Sequence, residues 1–254
     1  MLLEKPFAVN NDELEKLMAV VKENNNKVMI CHVLRYNKFY QKIKQLVVDG
    51  KIGDIINIQT VEDVSYHHLS TSYVRGKWAN SKKSHTTMLL AKCCHDIDLM
   101  MWIMGETKPT QISSFGGKYQ FKPENAPVGA GTICMKDCPH VDTCVYSTKR
   151  LYIDHPDRWA FYVWDKLEHI ENPTIKDKIA LMKSDSPYAR CVYKCDNDVV
   201  DHQSVLVSFE SGATGTHNMV GGSSQSLRKI HIIGTKGEIF GNFEESKYTV
   251  LKIN

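Results

Sequence analysis

No apolar run in this 254-residue chain reaches the roughly 18 residues that a membrane-spanning helix requires. No internal repeat or low-complexity tract appears, which sets aside solenoids and polymer-like chains. Charge of one sign is scarce as well. The 32 basic and 29 acidic residues leave a net +3, too little and too evenly spread to imply nucleic acid or a membrane surface as partner. The opening MLLEKPFAVNNDE reaches charge after three residues, unlike a secretory leader. Without that signal, the eight cysteines imply a reducing, cytoplasmic setting in which thiols stay free or bind metal. A Gly-x-Gly-x-x-Gly turn between a strand and a helix is also missing. Gly129-Ala130-Gly131 lies in a polar, proline-flanked stretch and is not one.

What is present reads as a globular α/β chain, 42% hydrophobic and 24% charged, long enough for one large or two modest domains. Met1–Leu3 is a short apolar strand ending in Glu4-Lys5-Pro6, and Asn11 is placed to cap a helix running to about Glu23. Lys27–His32 reads as a buried strand followed by Arg35-Tyr36, and Tyr40–Val48 as a second amphipathic helix closed by Asp49-Gly50. Strand, helix, strand, helix in fifty residues is the pattern of a doubly wound unit, which binds ligands beyond the carboxyl ends of its strands. Glu4-Lys5-Pro6 and Arg35-Tyr36 lie there. A strand follows over Ile55–Val64, then a polar, loop-like stretch from Ser65 to Thr87. Further strands are expected over Thr110–Phe121, Val199–Phe209, Thr214–Val220, Lys229–Gly234, Glu238–Phe243 and Tyr248–Ile253, joined by tight turns that favour antiparallel pairing.

The stretch Leu89–Gly105 carries the chemistry. It is a strongly apolar helix in which His95, Asp98 and Trp102 share one face and Gly105 ends the run. A histidine there is either a core residue bonded to its neighbours or a group facing a substrate. Cys134, Cys138 and Cys144 form C-x3-C-x5-C, and Cys191 with Cys195 adds C-x3-C. Structural zinc sites favour the tighter C-x2-C knuckle. The thiols are accordingly read as free or packed and no metal ligand is assigned, although Cys134, Cys138, Cys144 and Cys195 could converge. Trp78 could stack on a sugar ring or fill an interface, and the histidines of the polar loop are expected to be exposed.

Through Glu4-Lys5-Pro6, Arg35, Asp49-Gly50-Lys51-Ile52-Gly53-Asp54, His95-Asp96-Ile97-Asp98, Asp201-His202-Gln203 and Gly234-Thr235-Lys236-Gly237-Glu238, the chain resembles the Gfo/Idh/MocA family of oxidoreductases. The resemblance implies a remnant of a Rossmann domain over residues 1–34. Residues 35–254 then form the family's C-terminal α/β domain, a mixed, mainly antiparallel open sheet with helices on one face and an irregular insertion near 122–197. It also implies a C-terminal portion of an NAD(P)-dependent enzyme that moves hydride to or from a sugar, polyol or related carbonyl compound. On the same ground Lys5 and His95 are the proton-handling pair, and Glu4, Lys5, Pro6 and Arg35 border the cofactor. Tyr36, Trp78, Asp98 and His202 face the substrate. A homodimer or homotetramer through the sheet face is expected. With the phosphate cradle missing, the chain alone is expected to be inactive and not to bind NAD or NADP tightly. Relatives also include NAD-dependent glycoside hydrolases and non-catalytic sensors or scaffolds, and a gene fragment is a further alternative. One departure from the family pattern is Ala91, which stands where many of its dehydrogenases place a carboxylate four residues before the histidine.

Overall fold

The computed structural model describes residues 1–155 and 161–253. Two short parallel strands, β1 (Leu2–Leu3) and β2 (Met29–Ile30), form a small sheet of their own. They flank helix α1 (Asn11–Glu23), which is capped by Asn10, not Asn11: the Asn10 side chain accepts from Glu13 N–H. The cap falls one residue earlier because Asn10 keeps the extended backbone that a capping residue needs. Val33–Tyr36 forms a single tight turn before α2 (Lys38–Val48), whose Phe39, Tyr40 and Ile43 are buried.

The rest is organised by a seven-stranded sheet of order β4-β5-β6-β3-β7-β8-β9. Its strands are β3 (Ile55–Ser65), β4 (Pro109–Gly117), β5 (His202–Phe209), β6 (Thr214–Ser223), β7 (Leu227–Gly234), β8 (Gly237–Asn242) and β9 (Lys247–Lys252). Among the described residues of this sheet only the central pair β3–β6 runs parallel; of the antiparallel pairs, β5–β6, β7–β8 and β8–β9 are joined by tight turns, whereas β3–β7 and β4–β5 are brought together from distant parts of the chain. Alternation decides the two faces. In β5, Val205, Val207 and Phe209 point inward while Leu206 is exposed, and β7 and β8 turn Ile230, Ile232 and Ile239 inward. Against these pack α2 and the helix Cys94–Met104, through Ile43, Leu99, Met100 and Ile103. Burying each such aliphatic side chain contributes about 1.5–3 kcal/mol. β4 stops at Gly117, short of the expected Phe121, because the Asp201 carboxylate captures the next backbone N–H groups, those of Tyr119 and Gln120.

The stretch after β3 differs from the sequence reading. Tyr66–Leu69 and Ser70–Arg75 are helical turns, and His68, Ser70, Thr71, Ser72 and Arg75 are buried. Composition misleads here because short hydroxylated side chains can be buried once bonded, as Thr71 Oγ1 is to the Tyr152 hydroxyl at 3.0 Å. A second apolar cluster (Val64, Leu69, Tyr73, Met88, Phe121, Met219) lies under this segment, and a third (Leu151, Tyr152, Val163, Met182, Tyr188) organises the stretch between β4 and β5.

Candidate active site

The segment expected as one helix is a wide turn over Leu89–Cys93 followed by the helix Cys94–Met104, ended by Gly105 at φ 77°. Wide turns of this kind recur at functional sites. Lys5, at the carboxyl end of β1, crosses to this turn and its Nζ donates to Ala91 O at 2.8 Å. The Lys5–Pro6 peptide is cis. Lys5 and His95 line one cleft of about 310 Å³, together with Trp78, Tyr73, Lys92 and Arg228. Lys5 and Pro6 also line a second cleft of about 230 Å³, bordered by His32, Leu90 and Cys94.

Electrostatics in the first cleft follow from burial among cations. The imidazole of His95 is pushed down to about 3, chiefly by desolvation and then by the charges of Lys5 and Arg228. It is neutral at pH 7, and its Nδ1 is buried without a hydrogen-bond partner. Burial likewise lowers the Lys5 ammonium below the ordinary lysine value, the neighbouring Lys92 acting in the same direction. His32 meets His95 edge-on, with ring centroids 5.7 Å apart.

Behind the cleft lies a buried set of charges that the sequence reading missed. Glu62 is almost fully buried on β3, directly opposite Arg228 in the β3–β7 register. Its carboxylate takes Lys92 Nζ at 2.9 Å and the Arg228 guanidinium, which also reaches Asp96 at 3.1 Å. Desolvation holds Glu62 above the usual carboxylate range against these two cations. A signal existed: Glu62 occupies an inward position in the alternation Ile58, Thr60, Glu62, Val64, where a charge requires a partner. His32 and Arg228 carried no comparable sequence signal.

Other expected site residues fall elsewhere. Both oxygens of Asp98 are held by Arg35, at 2.7 Å each, so Asp98 does not orient His95. This forked pair also lies 3.9 Å from His32 Nδ1, and the Arg35 guanidinium is 5.9 Å from the Trp102 ring centroid. Tyr36 is 58% exposed, its hydroxyl against Met29. His202 opens β5 and pairs with Asp201 at 2.9 Å. The Glu4 carboxylate accepts from Lys5 N–H at 3.3 Å. None of Glu4, Arg35, Tyr36, Asp98 and His202 lines the Lys5–His95 cleft; Trp78 does, with Lys77 Nζ 4.6 Å from its ring.

Among the described residues, two triads hold ligand atoms within 4.8 Å of one another, His32–Cys94–His95 and Cys93–Asp96–His217. The Lys5 ammonium beside the first disfavours a cation, and Asp96 of the second is already engaged by Arg228.

Residues 44–253 match the model of the oxidoreductase family's C-terminal alpha/beta domain, GFO_IDH_MocA_C. The chain belongs to the Gfo/Idh/MocA family. It is 24% identical over 246 residues to a protein of Bacillus subtilis (strain 168) provisionally named oxidoreductase YteT, covering 95% of this chain and 54% of that one. It is 26% identical over 201 residues to oxidoreductase P35 of Formosa agariphila, covering 70% and 61%. Scyllo-inositol dehydrogenase from Lactobacillus casei, solved with NAD(H) and scyllo-inositol, superposes with a TM-score of 0.54 at 18% identity, over 93% of this chain and 48% of that one. For myo-inositol 2-dehydrogenase from Lactobacillus plantarum the TM-score is 0.56 at 16% identity, over 94% and 49%. At these identities the two structures establish a shared fold, which is the mixed, mainly antiparallel Gfo/Idh/MocA C-terminal domain. The chain spans about half the length of the curated relatives it matches.

Fit to a dinucleotide is partial. The two clefts offer room and a cation at one end. Among the described residues no glycine forms a phosphate-binding turn between strand and helix, and Gly53, Gly76 and Gly234, where an added Cβ would collide, are packed against the chain's own atoms.

Proposed function

We propose that this chain carries the substrate-side, proton-handling half of an NAD(P)-dependent oxidoreductase acting on a polyol or sugar-like alcohol. The observation that carries the reading is the placement of a desolvated lysine and a neutral, unpartnered imidazole on one cleft. Nicotinamide, when bound, supplies the hydride acceptor. Residues 1–34 are read as the end of a nucleotide-binding lobe.

In this reading the Lys5 ammonium sits at the reacting oxygen of the substrate, where it stabilises negative charge as the hydroxyl proton departs. His95 accepts that proton. Its neutrality at pH 7 leaves a ring nitrogen free to do so, and burial removes competing water. The same cations that keep His95 neutral make the imidazolium costly, so the proton does not rest there and passes on to solvent. The buried Glu62 fixes Lys92 and Arg228 along the cleft wall and limits the local excess of positive charge. Trp78 provides an apolar face of the kind that packs on a sugar ring. Arg35 and Asp98 act one layer out, bracing the turn after β2 against the Cys94–Met104 helix.

The sheet's outer face, with Ile56, Leu206, Val220, Phe240 and Leu251 exposed, is read as the surface through which copies associate. A panel assay of the full-length gene product with NAD+ and NADP+ tests the function. Turnover of inositols or aldoses with dinucleotide reduction is expected. Cleavage of aryl glycosides without net dinucleotide reduction supports a hydrolase of the same fold instead.

A further inference from the structure

The stretch between β4 and β5 borders a small cavity of about 20 Å³, lined by Cys134, Cys138, Cys144 and Cys191 with His140 and Arg75. Two arms of the chain, far apart in sequence, are fastened beside it. Ile133 and Arg190 form an antiparallel bridge, and Cys191 N–H donates to Thr132 O at 2.9 Å. The fourth thiol on the cavity is therefore Cys191, whereas the sequence reading grouped Cys195 with the first three. The Cys195 thiol turns back to its own arm, 3.3 Å from Cys191 O. The Cys134 sulfur accepts the backbone N–H of Thr148 at 3.4 Å and lies 3.8 Å from the Ser147 hydroxyl oxygen, to which the thiol donates.

Arg75 is the second, independent observation. It is only 4% exposed, and no carboxylate is among the groups that act most on its charge. Its Nε donates to Arg190 O at 2.7 Å and one terminal nitrogen to Tyr146 O at 2.8 Å, while Nη1 is buried with no acceptor. The Tyr152 ring lies 5.9 Å from the guanidinium carbon, yet a buried charge characteristically requires an opposite charge beside it. Four thiols line the same cavity. As metal-bound thiolates they carry the missing negative charge.

We propose that Cys134, Cys138, Cys144 and Cys191 bind one zinc ion as thiolates, with Arg75 as the buried counter-charge. Binding releases four thiol protons to solvent, and the site with zinc carries a net charge of −2, which Arg75 partly offsets. A cavity of about 20 Å³ has room for one water-sized body, which favours a single ion over a multi-iron cluster. The four sulfurs are not among the triads already within 4.8 Å of one another, so they contract around the ion to zinc–sulfur distances of about 2.3 Å. This inference uses no residue of the Lys5–His95 cleft and stands independently of the oxidoreductase reading.

Elemental analysis of the untagged, reduced chain, purified without chelator and reconstituted with zinc alone, tests it. About one zinc per chain is expected, as for a closed structural site. Cys134→Ser and Cys191→Ser each lose most of that zinc, whereas Cys195→Ser retains it. Replacing zinc with cobalt(II) produces a thiolate-to-metal charge-transfer band in the wild type. Wild-type protein that holds no zinc after reconstitution overturns the proposal, as does stoichiometric iron with acid-labile sulfide, or a Cys195→Ser chain that loses its zinc. The wild-type stoichiometry and the Cys195→Ser control are readable even if the other variants do not fold.

Discussion

His95 is held near 3 and His68 near 2, both chiefly by desolvation, against an unperturbed histidine value of about 6.5. Each folded-state value lies below its unfolded value. Each histidine therefore takes up a proton on unfolding when the pH is below about 6.5, and stability falls as pH falls through that window. Glu62 acts in the opposite sense, since burial raises it in the folded chain and it releases a proton on unfolding over an overlapping range. Burial also lowers His32 and His217 and raises Asp63, so four histidines against two carboxylates leave a net uptake. Denaturant unfolding followed from pH 7 to pH 5 is expected to show falling stability, and His95→Asn is expected to flatten the slope. The neutrality of His95 was not legible from its helix, where apolar neighbours indicated burial without revealing the cations. Lys5, Lys92 and Arg228 arrive from a strand end, a helical turn and β7.

At the scale of elements, β3 is the strand on which sheet and cleft meet. Its inward positions run Ile58, Thr60, Glu62, Val64, and only the third carries charge. Glu62→Leu leaves Lys92 without its ion-pair partner and Arg228 with Asp96 alone, and is expected to cost about 3–5 kcal/mol in chemical denaturation, the usual loss when one partner of a buried ion pair is removed. A loss below about 1 kcal/mol would mean that water reaches the pair. The strands were legible because alternation and tight turns are local properties of sequence. The buried turns Tyr66–Arg75 were not, because their hydroxyl and imidazole groups look solvent-loving until tertiary contacts satisfy them. Asp98 illustrates a further limit. Helical spacing placed it on the His95 face, but spacing is silent about Arg35, 63 residues away in sequence, which takes both of its oxygens.

For the whole molecule, the resemblance read from a few short motifs and the match over residues 44–253 agree on one family. The Lys5–His95 cleft lies between the ends of the small β1–β2 sheet and the large one, and in the proposed function it supplies proton chemistry and a substrate wall. Titration of this chain with NADH, followed by fluorescence, is expected to give no saturation at micromolar concentrations. Micromolar affinity would place the dinucleotide's main contacts within these residues. The most direct test of the central claim is the rate of NAD(P)+ reduction by polyol substrates in the full-length gene product carrying His95→Asn or Lys5→Met. A fall of about 10²–10⁴-fold is expected with either change, as for loss of a general acid–base group. Rates within a factor of two of wild type in both variants would contradict the assignment of Lys5 and His95 as the proton-handling pair.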